Sequence, residues 1–327
     1  MPRLPSSTAA ALIAGLLSGC SAIPLRDHTL IPTAHRVEVG PYVIHSNFPL
    51  PDNAPAVVEL TQLRREIESV LATSIDPGPG SIEVYILDDS RTFAHFLNTY
   101  YNELPHRRAF FLAQGDRRVI YTFLGDRLTE DLRHEATHAL LHCLIPELPL
   151  WIDEGLAEFF EDRAPTPGTN PDHLQRLADE IRRWRPDLPR LESIHDVRSM
   201  TPRDYREAWA WVHFLATGSP ARRLLLASYL HELRSASPDS VTPLSERIAT
   251  EIDDPNRALL AHIRNLIRAS HTASTPSAHE TVRLQSPHPR RLPDHAPPPG
   301  SSRPPRTQRF RLGDLLRPFA RLLPPSG

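Results

Sequence analysis

The chain has 327 residues, 40% of them hydrophobic, with 35 prolines and a net charge of −2. That near-neutral balance gives no electrostatic reason to expect nucleic acid as a partner. All 37 basic residues are arginine, which removes lysine-dependent chemistry such as the phosphate-cradling P-loop and Schiff-base catalysis. The sequence also lacks G-x-S-x-G, G-x-G-x-x-G and C-x-x-C patterns.

The amino-terminal segment sets Arg3 before an apolar run from Ala9 to Leu17, far shorter than the roughly 20 residues a spanning helix needs. It ends Leu17-Ser18-Gly19-Cys20, which resembles the lipobox of bacterial lipoproteins. That resemblance implies export, cleavage before Cys20, acylation of Cys20 and attachment to the membrane of the cell envelope. Ser21 resembles the residue that directs such proteins to the outer membrane in a cell with two membranes. The alternative is an ordinary secretion signal that happens to carry a cysteine. Several acyl chains on one residue anchor stably where a single chain is marginal. With Cys20 modified only Cys143 remains, so no intrachain disulfide is expected. Cys143 falls among apolar helix positions and reads as a core thiol rather than a nucleophile.

Beyond a short tether, His35 to Asn47 alternates as a strand pair or one bent strand. Ala54 to Ile75 places Val57, Leu60, Leu63, Ile67, Val70 and Leu71 at helical spacing, and "DPGPG" ends that helix. Ser81 to Asp89 predicts a buried strand, followed by a helix capped at Ser90. "RAFFLAQ" and "RRVIYTF", separated by Gly115-Asp116, predict a hairpin. The next helix holds "LTEDLRHEATHALLHC", with Thr129 or Asp126 as its cap and Glu130 and Asp131 in its first turn. From Trp151 to about Ser270 every segment reads as helix. The fold class is therefore α+β, a small sheet feeding an all-helical half.

These elements form one domain over 21–270, after a signal segment at 1–20, with a β-rich half at about 35–125 and a helical half at about 126–270. Residues 271–307 shift to Pro, Ser, His and Arg without periodicity, the composition of a disordered segment. Residues 308–323 place Leu312, Leu315, Leu316, Phe319, Leu322 and Leu323 on one side of a short amphipathic helix, which Pro318 interrupts. From Arg283 onward nine arginines face only Asp294 and Asp314. A membrane-surface or partner-docking role is one reading of this tail; a frayed end is the other.

Residues 134 to 138 read H-E-A-T-H. Positions i and i+4 of a helix share one face, so His134 and His138 can reach a single ion. Glu135, turned by about 100°, cannot easily join them as a ligand but can lean over a water on the metal. Zinc brings the pKa of such a water to about 7, and the carboxylate takes its proton as it attacks a carbonyl. His142 is excluded as third ligand, because eight residues of helix rise about 12 Å. It reads as a helix-surface residue or a neighbour of the ligands. Leu128, Leu132, Ala136, Ala139, Leu140 and Cys143 form the apolar stripe of this helix.

The third ligand lies downstream. "IPELP" allows a short return, and helices joined so briefly are usually antiparallel neighbours. "WIDEGLAEFF" then resembles the second motif of the glutamate-zincins, the peptidase group that includes thermolysin and aminopeptidase-N-like enzymes. Trp151, Glu154, Gly155, Ala157 and Phe159 match that motif. The resemblance implies a zincin-like fold, Zn2+ held by His134, His138 and Glu154, and hydrolysis of a peptide or protein substrate with Glu135 as general base. Glu158 would accept a hydrogen bond from the far nitrogen of a zinc histidine. "YREAWAWVHFL" is similar to the helix that carries a catalytic tyrosine in the aminopeptidase-N-like enzymes. Tyr205 could thus steady the oxyanion, with an inward-packed ring as the alternative; His213 is a second candidate for that role. The strand before the metal helix lacks the G-x-M-E-N segment of aminopeptidases, so Val119 to Phe123 is expected instead to be an extended edge strand that receives a peptide by strand addition. The competing function is a zincin-fold lipoprotein that binds metal or a partner without turnover. A tail-driven envelope adaptor is a third class.

Overall fold

Among the described residues, five short strands form one mixed sheet that precedes a series of helices. The computed structural model describes residues 30–273, apart from 79, 103–106 and 164–165. The expected signal segment, Cys20 and the amphipathic stretch at 308–323 lie outside the described residues.

Strands β1 (His35–Val39) and β2 (Tyr42–Ser46) make an antiparallel hairpin. Helix α1 (Pro55–Leu71) crosses to β3 (Ile82–Leu87), which runs parallel to β2. After α2 (Ser90–Tyr100), strands β4 (Phe110–Gln114) and β5 (Arg117–Phe123) form the expected second hairpin. Gly115 turns it at φ +56, the left-handed conformation that a two-residue hairpin loop requires.

The sheet order is β1-β2-β3-β5-β4, with β5 parallel to β3. Strand β5 is therefore interior, and the edges are β1 and β4. The expectation that Val119 to Phe123 forms an open edge is overturned: Val119 to Tyr121 pair with strands on both sides, Thr122 and Phe123 pair with β3, and all five are buried.

Side-chain alternation along the strands sends Val84, Ile86 and Ile120 into the main core with α1 and the helix after β5. The intervening Tyr85 and Tyr121 stack on each other at 5.2 Å, and Tyr121 meets Phe96 of α2 at 4.9 Å. Helix α2 thus covers one face of the sheet and the metal-motif helix covers the other. Its cap is Asp89, whose carboxylate accepts from the backbone N–H of Thr92 at 2.8 Å, not Ser90 as expected.

The metal-motif helix is α3 (Leu128–Leu144). It starts at Arg127 without a side-chain cap, because the two expected caps are engaged elsewhere. Asp126 accepts from Arg108 at 2.9 Å, and the Thr129 hydroxyl meets Glu130 at 3.2 Å. Helix α4 (Leu150–Glu161) follows after a short return, then α5 (Pro171–Glu180), α6 (Leu188–Glu192), α7 (Pro202–Ala216), α8 (Pro220–Leu233), α9 (Leu244–Glu251) and α10 (Pro255–Ala273). Single 3-10 turns lie at Val197–Ser199 and Pro238–Ser240. Helix α7 begins with a complete capping box between Thr201 and Asp204, with Pro202 in its first turn, a signal that fixes its start. No helix among the described residues is long and apolar enough to cross a membrane.

Helix α4 packs between α3 and α7. Gly155 is the contact point with α7: a Cβ there would meet the Ala208 carbonyl oxygen at 2.7 Å and Val212 at 2.8 Å. Arg133, next to the first histidine, locks α3 to its neighbours. Its buried guanidinium donates to the Phe160 carbonyl at 2.8 Å, to Glu59 at 3.0 Å and to Glu66 at 2.5 Å. One side chain thus ties α1, α3 and α4 together, which fixes the relative placement of the two helices that carry the site.

Candidate metal centre

Helix α3 is buried all round from Asp131 to His142, so it has no solvent face on which its histidines could sit. His134, His138 and Glu154 are each at most 4% exposed. The two Nε2 atoms lie 3.3 Å apart, and Glu154 Oε2 lies 3.7 Å from each. The point equidistant from three atoms so spaced is about 2.1 Å from each, within the usual bond length of a zinc-like ion to imidazole and carboxylate. The expected set of His134, His138 and Glu154 thus comes together as one group able to hold a metal ion.

The tautomer of His134 strengthens this assignment. His134 Nδ1 lies 3.2 Å from Glu161 Oε2, and His138 Nδ1 lies 3.0 Å from Asp153 Oδ1. A carboxylate only accepts, so the His134 Nδ1 that meets Glu161 carries the ring proton and its Nε2 turns a lone pair inward; His138 Nδ1 lies at ion-pair distance from Asp153 without hydrogen-bond geometry. Glu154 Oε2 is sealed from solvent and has no hydrogen-bond partner. The His134 lone pair and the unpartnered Glu154 oxygen thus converge with His138 Nε2, an arrangement that a cation between them would stabilise. The donor set of two imidazoles and one carboxylate suits a divalent ion with one open position.

The carboxylates behind the histidines are not the one the resemblance implied. Glu158 was expected to receive a ring N–H; that place is taken by Glu161 on His134, while Asp153 stands beside His138. Glu158 instead meets His173 Nε2 at 2.9 Å and accepts from Asn170 at 3.3 Å. Asp153 and Glu161 lie about two turns apart on α4, so each ring meets its own carboxylate. Glu161 is itself held by Arg127 at 3.3 Å. Asp153 also lies 3.5 Å from His142 Nε2, so His142 is a buried neighbour of the carboxylate that holds His138 rather than a surface residue. The Phe111 ring of edge strand β4 packs on both His138 and His142, at 6.4 and 5.8 Å between centroids.

Glu135 is 3% exposed and makes no hydrogen bond or ion pair with any described residue, yet its oxygens are not sealed. It is an uncommitted carboxylate with access to solvent, beside the metal group in sequence. Tyr205 sits buried in the first turn of α7, on the helix that packs against α4. His213, the other oxyanion candidate, is bound into a different cluster. Its Nδ1 lies 2.9 Å from His262 Nε2 of α10, and its ring packs on Phe159 and Trp209. Burial pulls His213 down to about 3 and His262 down to about 4, so both are neutral near pH 7. Cys143 is half-buried with its thiol pushed up by burial, which agrees with a packing role.

Asp153 and Glu161 were missed from sequence, whereas His142 takes the second of its two expected places, as a neighbour of the ligands. The available signal was the density of acids in α4: Asp153, Glu154, Glu158 and Glu161 share a helix whose residues from Trp151 to Glu161 are all buried. Acids sealed in such a helix must each have a partner. No family model matches the chain, and no curated protein matches it.

Proposed function

We propose that the chain is a zinc metallopeptidase of the glutamate-zincin type, exported and held at the cell envelope by lipid on Cys20. The observation that carries this is the meeting of His134 Nε2, His138 Nε2 and Glu154 Oε2, with Glu135 next to His134 in the chain and without a hydrogen bond or ion pair to any described residue. A mixed sheet whose antiparallel edge strand packs on the metal helix also fits the zincin resemblance. The anchor rests on the sequence Leu17-Ser18-Gly19-Cys20.

When bound here, zinc would supply a Lewis acid that polarises a carbonyl and brings the pKa of a water to about 7. The chain's own groups do the rest. His134, His138 and Glu154 fix the position; Glu161 holds the His134 ring in the correct tautomer, and Asp153 stands beside His138. Glu135 takes a proton from the attacking water and returns it to the amide nitrogen as the C–N bond breaks, leaving an acid and an amine. Tyr205 would donate its O–H to the developing oxyanion. A module that only bound metal or a partner would have no use for an uncommitted carboxylate at Glu135.

The test is Glu135→Gln, with zinc quantified and hydrolysis of a peptide library followed by mass spectrometry. The variant should keep wild-type zinc and lose at least about a hundredfold in rate. Equal cleavage by variant and wild type would remove Glu135 from the chemistry, and zinc-replete wild type that cleaves nothing would favour a binding protein.

A further inference from the structure

The charge of the chain is divided along its length. Residues 283–327 carry nine arginines and two aspartates, or +7, so the other 282 residues carry −9 of the total of −2. The segment 287–306 concentrates the tail's composition: eight prolines, and Arg290, Arg291, Arg303 and Arg306 against Asp294 alone. It lies outside the described residues, beyond the end of α10 at Ala273. Thirty residues separate Ala273 from Arg303, up to about 100 Å of extended chain. That exceeds half the circumference of a compact domain of about 240 residues, so length does not restrict which face the segment can reach.

A cleft of about 1000 Å³ offers the opposite chemistry. It lies between edge strand β4, the return from α3 to α4, the loop after α6 and the segment around the Pro238–Ser240 turn. Four carboxylates line it, Glu147, Glu192, Asp196 and Asp239, against the single arginine Arg198. Arg198 is spent on Asp196 at 2.7 Å, and Glu192 accepts from the backbone N–H of Ser245 at 3.1 Å. Glu147 and Asp239 are exposed and form no ion pair with any described residue. Apolar lining also reaches the surface: Pro146 and Pro243 are exposed, and Pro149, Leu150 and Pro238 are half-buried. Apolar walls with acids at the rim suit a proline-rich segment that bears arginines, because proline leaves little backbone entropy to lose on docking.

We propose that segment 287–306 of the chain's own tail docks in this cleft, its prolines against Pro146, Pro149 and Pro243 and its arginines on Glu147 and Asp239. The proposal does not depend on the peptidase reading, since neither the metal ligands nor Glu135 lines the cleft. Attachment to the same chain gives the segment an effective concentration of about 1 mM. A segment that binds in trans at about 0.1 mM then fills the cleft in about nine of ten molecules and weakens a competing peptide about tenfold. Exposed charge pairs carry the preference, so it fades as salt is raised.

The probe is a fluorescent synthetic peptide of sequence 286–307, followed by anisotropy at low salt against two full-length proteins. One is the wild type; the other has a neutralised tail, Arg290→Gln, Arg291→Gln, Arg303→Gln and Arg306→Gln. The peptide should bind the neutralised protein with a Kd near 0.1 mM and the wild type about tenfold more weakly. Adding Glu147→Gln and Asp239→Asn to the neutralised protein should weaken the peptide about fivefold. Should a variant fail to fold, hydrogen exchange of the wild type alone gives a second reading: residues 145–150 and 237–243 should exchange faster at about 0.5 M salt than at low salt, with α3 unchanged. Equal affinity for both proteins leaves the cleft to a partner's segment and overturns the proposal, as does binding unmoved by the rim substitutions or salt-independent exchange. A wild-type dimer in sedimentation equilibrium that the neutralised tail abolishes would place a second copy's tail in the cleft and overturn it equally.

Discussion

Asp153→Asn probes the part of the site that only the folded chain reveals. Asp153 is fully buried, and its Oδ1 lies 3.0 Å from His138 Nδ1 and 3.5 Å from His142 Nε2. The asparagine keeps the shape but removes the negative charge that stands 3.0 Å from His138 Nδ1. Loss of such a partner typically weakens metal binding or activity by about 10- to 100-fold, or about 1.4–2.7 kcal/mol. Glu158→Gln is the matched control. Its carboxylate meets His173 and Asn170 and stands farther from His134, within 4.8 Å of a ring nitrogen but not in contact with it, so its loss should weaken zinc less than that of Asp153, by about threefold or less. The assay is competition of the full-length protein against a chromophoric zinc chelator at fixed pH, with circular dichroism to confirm that each variant is folded. Wild-type affinity in Asp153→Asn, or an equal loss in Glu158→Gln, would refute the assignment of the supporting carboxylates.

Two further outcomes follow from packing and charge. Gly155→Ala drives a methyl into the backbone of α7 at Ala208 and should cost about 1–3 kcal/mol of unfolding free energy, read from the urea midpoint. His213 sits at about 3 in the folded chain, below its ordinary value, so the unfolded chain takes up the proton first. The stability contributed by its neutral form is therefore complete above about pH 6.5 and is lost as pH falls toward 3, at up to about 1.4 kcal/mol per pH unit. His213→Phe should flatten that part of the stability–pH curve; an unchanged slope would count against a buried neutral imidazole.

The parts of the fold carried by local pattern were readable in the chain. The hairpin at Gly115-Asp116, the helical spacing of Val57 to Leu71 and the H-E-A-T-H face all depend on neighbours within a turn or two. Strand order does not. Val119 to Phe123 runs apolar with little alternation, which marks a strand buried on both faces, yet its place between β3 and β4 is set by pairing across the sheet. The metal ligands were readable because a helix forces i and i+4 together, and Glu154 followed from its resemblance to a known second motif. Their supporting carboxylates were not, since which oxygen of α4 meets which ring depends on the crossing of α3 and α4. That crossing is fixed by Gly155 against α7 and by Arg133 between α1 and α4, contacts between residues far apart in sequence.

The most direct test of the account is the metal content of purified full-length protein and of Glu154→Ala, measured side by side by inductively coupled plasma mass spectrometry after exhaustive dialysis. The convergence of His134, His138 and Glu154 predicts about one equivalent of zinc per wild-type chain, and a loss of roughly nine-tenths or more when the carboxylate is removed. A full equivalent retained by Glu154→Ala, or no bound metal in the wild type, would contradict the site.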